Sequence, residues 1–184
     1  MTTPELDAHI GKYIQGGFGQ SDMAVLKKEI EKLVPGDLHV QIGIDEGRSL
    51  RVAHEYASPA IQIWGIDIHD PTHTPGLNRA EFMEQEGMVG LGKRCFYIHG
   101  DADEFQRAFL APHKPFIRLL FIDGHHGKED VEKNTKCWER LVEKDGVILY
   151  HDIDHPGVLA HLDEYYGKGN WEDTNGKIGK VVKK

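Results

Sequence analysis

Apolar residues along the chain fall into short runs that alternate with stretches of helical spacing. Met23, Leu26, Ile30 and Leu33 recur at helical intervals after Ser21 and Asp22, either of which suits a helix cap, and Pro35-Gly36 stops the run. Leu38–Ile42 is a short apolar stretch with the character of a buried strand, and 48–57 then reads as a helix closed by Ser58-Pro59. The same alternation gives strands at 61–66, 95–98, 117–122 and 147–150. Helices are predicted over 79–88, 104–110, 129–142 and 157–166, with a loop at 70–76 and an Asp145-Gly146 turn leading into the fifth strand. Asn175-Gly176 separates Trp171–Thr174 from Ile178–Val182, a strong hairpin signal. Strands alternating with helices imply a doubly wound α/β sheet, mostly parallel and covered on both faces, with a C-terminal antiparallel hairpin.

A length of 184 residues suits one domain, with a helical N-terminal segment over 1–36 and a core over 37–184. The charge balance is 22 basic to 30 acidic residues, a net −8, which disfavours nucleic acid as a partner. The one basic cluster, Lys180, Lys183 and Lys184, reads as a solvated chain end. Cys95 and Cys137 are far apart in apolar surroundings and read as buried, reduced thiols. No apolar run approaches a membrane span and the N-terminus lacks a signal-peptide layout, so a cytoplasmic protein is expected; oligomeric state is unreadable.

In a doubly wound sheet ligands bind beyond the carboxyl ends of the strands, so chemistry is sought there. The first strand runs into Gln41-Ile42-Gly43-Ile44-Asp45-Glu46-Gly47-Arg48-Ser49, a loop with two glycines that opens a helix. Its spacing is Gly-x-x-x-Gly, neither the dinucleotide fingerprint nor a P-loop. Asp67 ends the second strand roughly 20 residues on, where a carboxylate can bind ribose hydroxyls. Asp101 follows the third strand and suits an adenine amino group or a helix N-cap equally well. The fourth and fifth strands end in Asp123-Gly124-His125-His126 and His151-Asp152-Ile153-Asp154-His155, the densest polar cluster in the chain. Carboxylates and imidazoles together can hold a divalent metal or move protons. His125 and His155 read more simply as solvated side chains.

The string 40–49, Gly65-Ile66-Asp67, Gly100-Asp101-Ala102 and the segment 121–153 together resemble the class I S-adenosylmethionine-dependent methyltransferases. Asp123-Gly124-x-His126 followed by His151-Asp152 is similar to their small-molecule, catechol O-methyltransferase-like branch. The resemblance implies a seven-stranded Rossmann-like sheet and methyl transfer to an oxygen or nitrogen of a small-molecule acceptor. It places Gln41, Gly43, Glu46, Gly47 and Ser49 around the methionine part of S-adenosylmethionine, Asp67 and Ile68 at the ribose, Asp101 and Ala102 at the adenine, and Asp123 near the sulfonium. Gln41 and His125 stand where that branch usually has acidic residues, and the loop over 70–92 is short for a substrate lid. Asp123, His126, His151 and Asp152 are the expected catalytic group, with His126 or His151 as base. A Mg²⁺ ion, if used, is held by Asp123 and Asp152, but the metal-free arrangement is preferred. Two other readings stay open: a non-catalytic cofactor-binding module, and another nucleotide-cofactor enzyme such as a dehydrogenase.

Overall fold

A computed structural model describes residues 18–45, 47–68 and 94–184. The helix expected over 79–88, the loop at 70–76 and Glu46 lie outside them. The strands are β1 (Leu38–Ile42), β2 (Gln62–Asp67), β3 (Cys95–His99), β4 (Ile117–Ile122), β5 (Val142–Tyr150), β6 (Glu172–Asp173) and β7 (Gly179–Val182). They form one seven-stranded sheet in the order β3-β2-β1-β4-β5-β7-β6. The first five are parallel, and β7 runs antiparallel to both β5 and β6. The described helices are α1 (Gln20–Ile30), α2 (Arg48–Tyr56), α3 (Ala102–Phe105), α4 (Lys128–Trp138) and α5 (Pro156–Leu162).

Strand alternation divides the core into two layers. Leu119 and Phe121 of β4 face one side, where they meet Leu26 and Ile30 of α1 and Leu50 of α2. Leu120 and Ile122 face the other, against Val131 and Trp138 of α4 and Val158 and Leu162 of α5. All five residues of β1 are buried, including the polar His39 and Gln41. His39 satisfies one ring nitrogen by donating from Nδ1 to the Leu119 carbonyl at 3.2 Å, and burial pushes its pKa down to about 4.

The boundaries depart from the sequence pattern in informative ways. Gly19, not Ser21 or Asp22, is the N-cap of α1, and the Asp22 carboxylate at the third helical position accepts from the Gly19 N–H at 2.7 Å. Residues 104–110 and 157–166 are not continuous α-helices: α3 and α5 widen into π-turns at Gln106–Leu110 and Asp163–Gly167. The helix expected to reach Val142 ends at Trp138, a 3₁₀ turn follows, and Val142 already pairs with Ile117. Asp145-Gly146 does not precede β5. It makes a bulge inside β5, with Asp145 at φ 61°, because Lys183 pairs with both residues through the backbone. Of the tail lysines only Lys184 is exposed as expected. Lys180 pairs with buried Glu29 at 2.9 Å, and Lys183 Nζ donates to the Glu139 and Val142 carbonyls at 2.6 and 2.7 Å. Both cysteines are free thiols, half-buried rather than buried. Among the described residues no helix is long and apolar enough to cross a membrane.

Candidate active site

Parallel pairing of β2, β1, β4 and β5 brings their carboxyl ends to one rim. Gly43, directly after β1, adopts φ +82°, and a Cβ there would lie 2.0 Å from the Asp123 carbonyl oxygen. The glycine is what lets the loop after β1 touch the loop after β4. Gly47, also at φ +82°, is the N-cap of α2, so free N–H groups at the start of that helix face the loop. Gln41 is fully buried and donates from Nε2 to the Gly43 carbonyl at 2.7 Å and to Ser49 Oγ at 2.6 Å. Its Oε1 is buried with no hydrogen-bond partner among the described residues. An orphaned acceptor beside a glycine loop fits an ammonium donor such as the amino group of S-adenosylmethionine.

Asp67 Oδ2 accepts from the backbone N–H groups of Ile44 and Asp45 at 2.6 and 3.1 Å, so this carboxylate shapes the loop after β1. Ile68, next in sequence, is half-exposed, and its carbonyl meets His99 Nε2 at 3.0 Å. Asp101 is the N-cap of α3 and accepts from the Glu104 N–H at 2.8 Å, with Ala102 buried behind it.

The polar cluster converges around His151, which is buried. Its Nδ1 lies 2.9 Å from Asp123 Oδ1 and 3.1 Å from Asp152 Oδ2. Asp152 sits at φ 54°, a left-handed conformation that Asp tolerates better than most residues, just after the end of β5. Its Oδ2 also receives His126 Nε2 at 2.9 Å, and Lys177 Nζ lies 3.9 Å from its Oδ1. Burial disfavours a charged imidazole, but the carboxylates of Asp123, Asp152 and Asp22 outweigh it and push the His151 pKa up to about 11. Burial raises the Asp123 pKa, while the hydrogen bond from His151 lowers that of Asp152. The two carboxylates at Nδ1 thus favour the imidazolium form of His151. Asp123, Asp152 and His151 also offer three ligand atoms within 4.8 Å of one another, a donor set that fits a divalent cation. Such an ion would have to replace the proton on His151 Nδ1.

His125 and His155 stand beside the cluster in sequence, and His155 is exposed. The His155 ring packs 5.2 Å from that of His126, and its Nδ1 caps α5 by accepting from the Gly157 N–H at 3.3 Å. His155 is thus solvent-exposed, as expected, and also caps the helix. Asp22, by contrast, was legible only as a helix cap, yet its Oδ2 lies 3.5 Å from His151 Nε2. No local pattern announces it, because the contact joins residues 129 positions apart in sequence.

A doubly wound sheet with a terminal antiparallel strand, a glycine loop after β1 and acidic residues after β2, β3 and β4 defines a class I S-adenosylmethionine-dependent methyltransferase. A family model described as a methyltransferase domain matches residues 40–153, and the chain belongs to that family. No curated protein sequence matches the chain. Among solved structures it is similar to the TDP-rhamnose 3′-O-methyltransferase CalS11 of calicheamicin biosynthesis, with TM-score 0.68 and 17% identity over 99% of this chain and 87% of the other. It is likewise similar to the O-methyltransferase TomG of Streptomyces achromogenes in complex with S-adenosylmethionine, with TM-score 0.66 and 14% identity over 100% of both chains. A methyltransferase from Geobacter sulfurreducens gives TM-score 0.64 and 14% identity over 98% of this chain and 87% of the other.

Proposed function

We propose that the chain methylates an oxygen of a small-molecule acceptor, with nitrogen as the alternative, and that His126 is the general base. The observation that carries this reading is the junction at Gly43 and Asp123. It joins a cofactor-binding loop, with its unpaired Gln41 Oε1, to an Asp–His cluster on the next strand ends. The two named O-methyltransferases with the same fold act on small molecules, one on a TDP-sugar and one in tomaymycin synthesis.

In this reading Gln41, Gly43, Glu46, Gly47 and Ser49 hold the methionine end, Asp67 and Ile68 the ribose, and Asp101 and Ala102 the adenine. S-adenosylmethionine supplies an electrophilic methyl group: the acceptor oxygen forms the new C–O bond while the C–S bond breaks and sulfur keeps the electron pair. His151 cannot take the acceptor's proton because it already carries one. His126 donates from Nε2 to Asp152, which leaves its Nδ1 as the proton acceptor, oriented as an Asp-held histidine should be. His126 is half-exposed, within reach of an incoming acceptor. A protonated His151 offsets one of the two negative charges of Asp123 and Asp152, which supports the metal-free arrangement. If Mg²⁺ is used, Asp123, Asp152 and deprotonated His151 are its protein ligands, and it would lower the acceptor hydroxyl's pKa.

Calorimetric titration tests the reading: S-adenosylmethionine should bind with a dissociation constant on the order of micromolar, about −8 kcal/mol. Binding of NAD in its place would favour a dehydrogenase. Binding without methyl turnover on any sugar, phenol or amine acceptor would favour a non-catalytic module.

A further inference from the structure

We propose that Asp22, anchored by Asn175, is a positioning residue that fixes the His151 ring so that its Nδ1 faces Asp123 and Asp152. This inference rests on the methyl-transfer reading of the site and extends it to a segment outside residues 40–153, the part that matches the methyltransferase domain.

Asp22 is fully buried, an unusual place for a carboxylate on the first turn of a helix. One oxygen, Oδ2, accepts from the Gly19 N–H at 2.7 Å and lies 3.5 Å from His151 Nε2. The other, Oδ1, accepts from Asn175 Nδ2 at 2.8 Å. Asn175 is itself held in place, because its Oδ1 accepts from the N–H groups of Lys177 and Ile178 at 3.0 and 2.8 Å. The carboxylate thus joins the N-terminal helix, the end of β5 and the β6–β7 loop. A helix cap needs only the Gly19 contact. The Asn175 anchor and the approach to His151 go beyond it.

The ring is held from its faces as well. Phe18 packs 5.4 Å from it at 47°, and Phe121 packs 6.1 Å from it at 76°. An imidazole can flip about its outer torsion, and the groups beside its two nitrogens decide which way it points. Here Nδ1 has two carboxylates and Nε2 has Asp22 alone; at 3.5 Å that contact is an ion pair rather than a full hydrogen bond. Without Asp22, nothing described holds the Nε2 end, and Asp123 and Asp152 lose a fixed partner. The stretch from Phe18 to Asp22 therefore completes the site from outside the residues that match the methyltransferase domain.

The test uses the full chain carrying ¹⁵N-labelled histidine. Asp22→Asn keeps the size of the side chain and an acceptor for the Gly19 N–H. The expected result is a shift of both His151 ring nitrogen signals, faster solvent exchange of the Nε2 proton, and an unchanged dissociation constant for S-adenosylmethionine. With a catechol as probe acceptor, kcat should fall by about ten- to a hundred-fold while KM holds, and Asp22→Glu should recover part of the loss. His151 signals identical to those of the parent protein in folded Asp22→Asn overturn the proposal. If Asp22→Asn does not fold, Asn175→Ala carries the same test, since it leaves the carboxylate but removes its anchor: a shift in the His151 signals supports the role, and an unchanged spectrum overturns it. A parent protein that binds no S-adenosylmethionine would refute the methyl-transfer reading, while the His151 spectrum would still decide whether Asp22 fixes the ring.

Discussion

Asp67 receives two backbone N–H groups from the loop after β1, and the proposed ribose contact would use the same carboxylate. Asp67→Ala should therefore lower unfolding stability by about 1–3 kcal/mol and weaken S-adenosylmethionine binding by a similar amount. Chemical denaturation and calorimetry measure the two losses separately, and a stability loss with unchanged affinity would confine Asp67 to shaping the loop. His151 gives a prediction about pH. Its pKa rises from an ordinary 6.5 to about 11 on folding, so its contribution to stability is full below pH 6.5 and is lost as pH climbs towards 11. Asp123, also raised, acts in the same direction, whereas Asp22 and Asp152 are lowered and destabilise the fold only as pH falls below their ordinary 3.8. The melting temperature of chelator-treated protein should decline from pH 6.5 to pH 9, and His151→Asn should flatten that slope. Turnover should survive excess EDTA and collapse in His126→Ala. A requirement for added Mg²⁺ or Mn²⁺ would instead assign Asp123 and Asp152 to a metal.

The connections between elements carry demands of their own. Gly43 and Gly36 both have positive φ, +82° and +99°, but a Cβ on Gly43 would strike the Asp123 carbonyl, whereas nothing lies within 4 Å of one on Gly36. Gly36→Ala should cost only the backbone strain, about 1–2 kcal/mol. Gly43→Ala must also push the loops after β1 and β4 apart, so it should cost upwards of about 4 kcal/mol and abolish cofactor binding. Thermal unfolding of the two variants side by side separates strain from collision. The elements themselves were largely legible: every strand core and the other described helices lie where periodicity and Gly/Pro punctuation put them, while α3 starts two residues early and gives way to a π-turn over most of the expected 104–110. Their ends were not, because ends answer to partners. Pairing with Ile117 draws Val142 into β5, and Lys183 holds Asp145-Gly146 inside the sheet as a bulge.

Over the whole molecule, the chain's last strand, β7, is locked between β5 and β6 and its lysines are tied down. Lys183→Met keeps the apolar stem but strips the Glu139 and Val142 carbonyls of their donor. It should lower stability by about 1–3 kcal/mol, read by urea denaturation, although a charge near a chain end would ordinarily be neutral to replace. Unchanged stability would return that lysine to the solvent. The alternation of apolar runs with helical spacing determined by itself the doubly wound sheet, because strands buried on both faces must be uniformly apolar and their crossovers must be amphipathic. It also set which residues reach the rim, since a strand's end is visible as the point where the apolar run stops. Only the tertiary structure decided what those residues do to one another. Side-chain chemistry depends on distance, and neither the sharing of His151 by Asp123, Asp152 and Asp22 nor the turning of Asp152 towards His126 leaves any trace in local spacing.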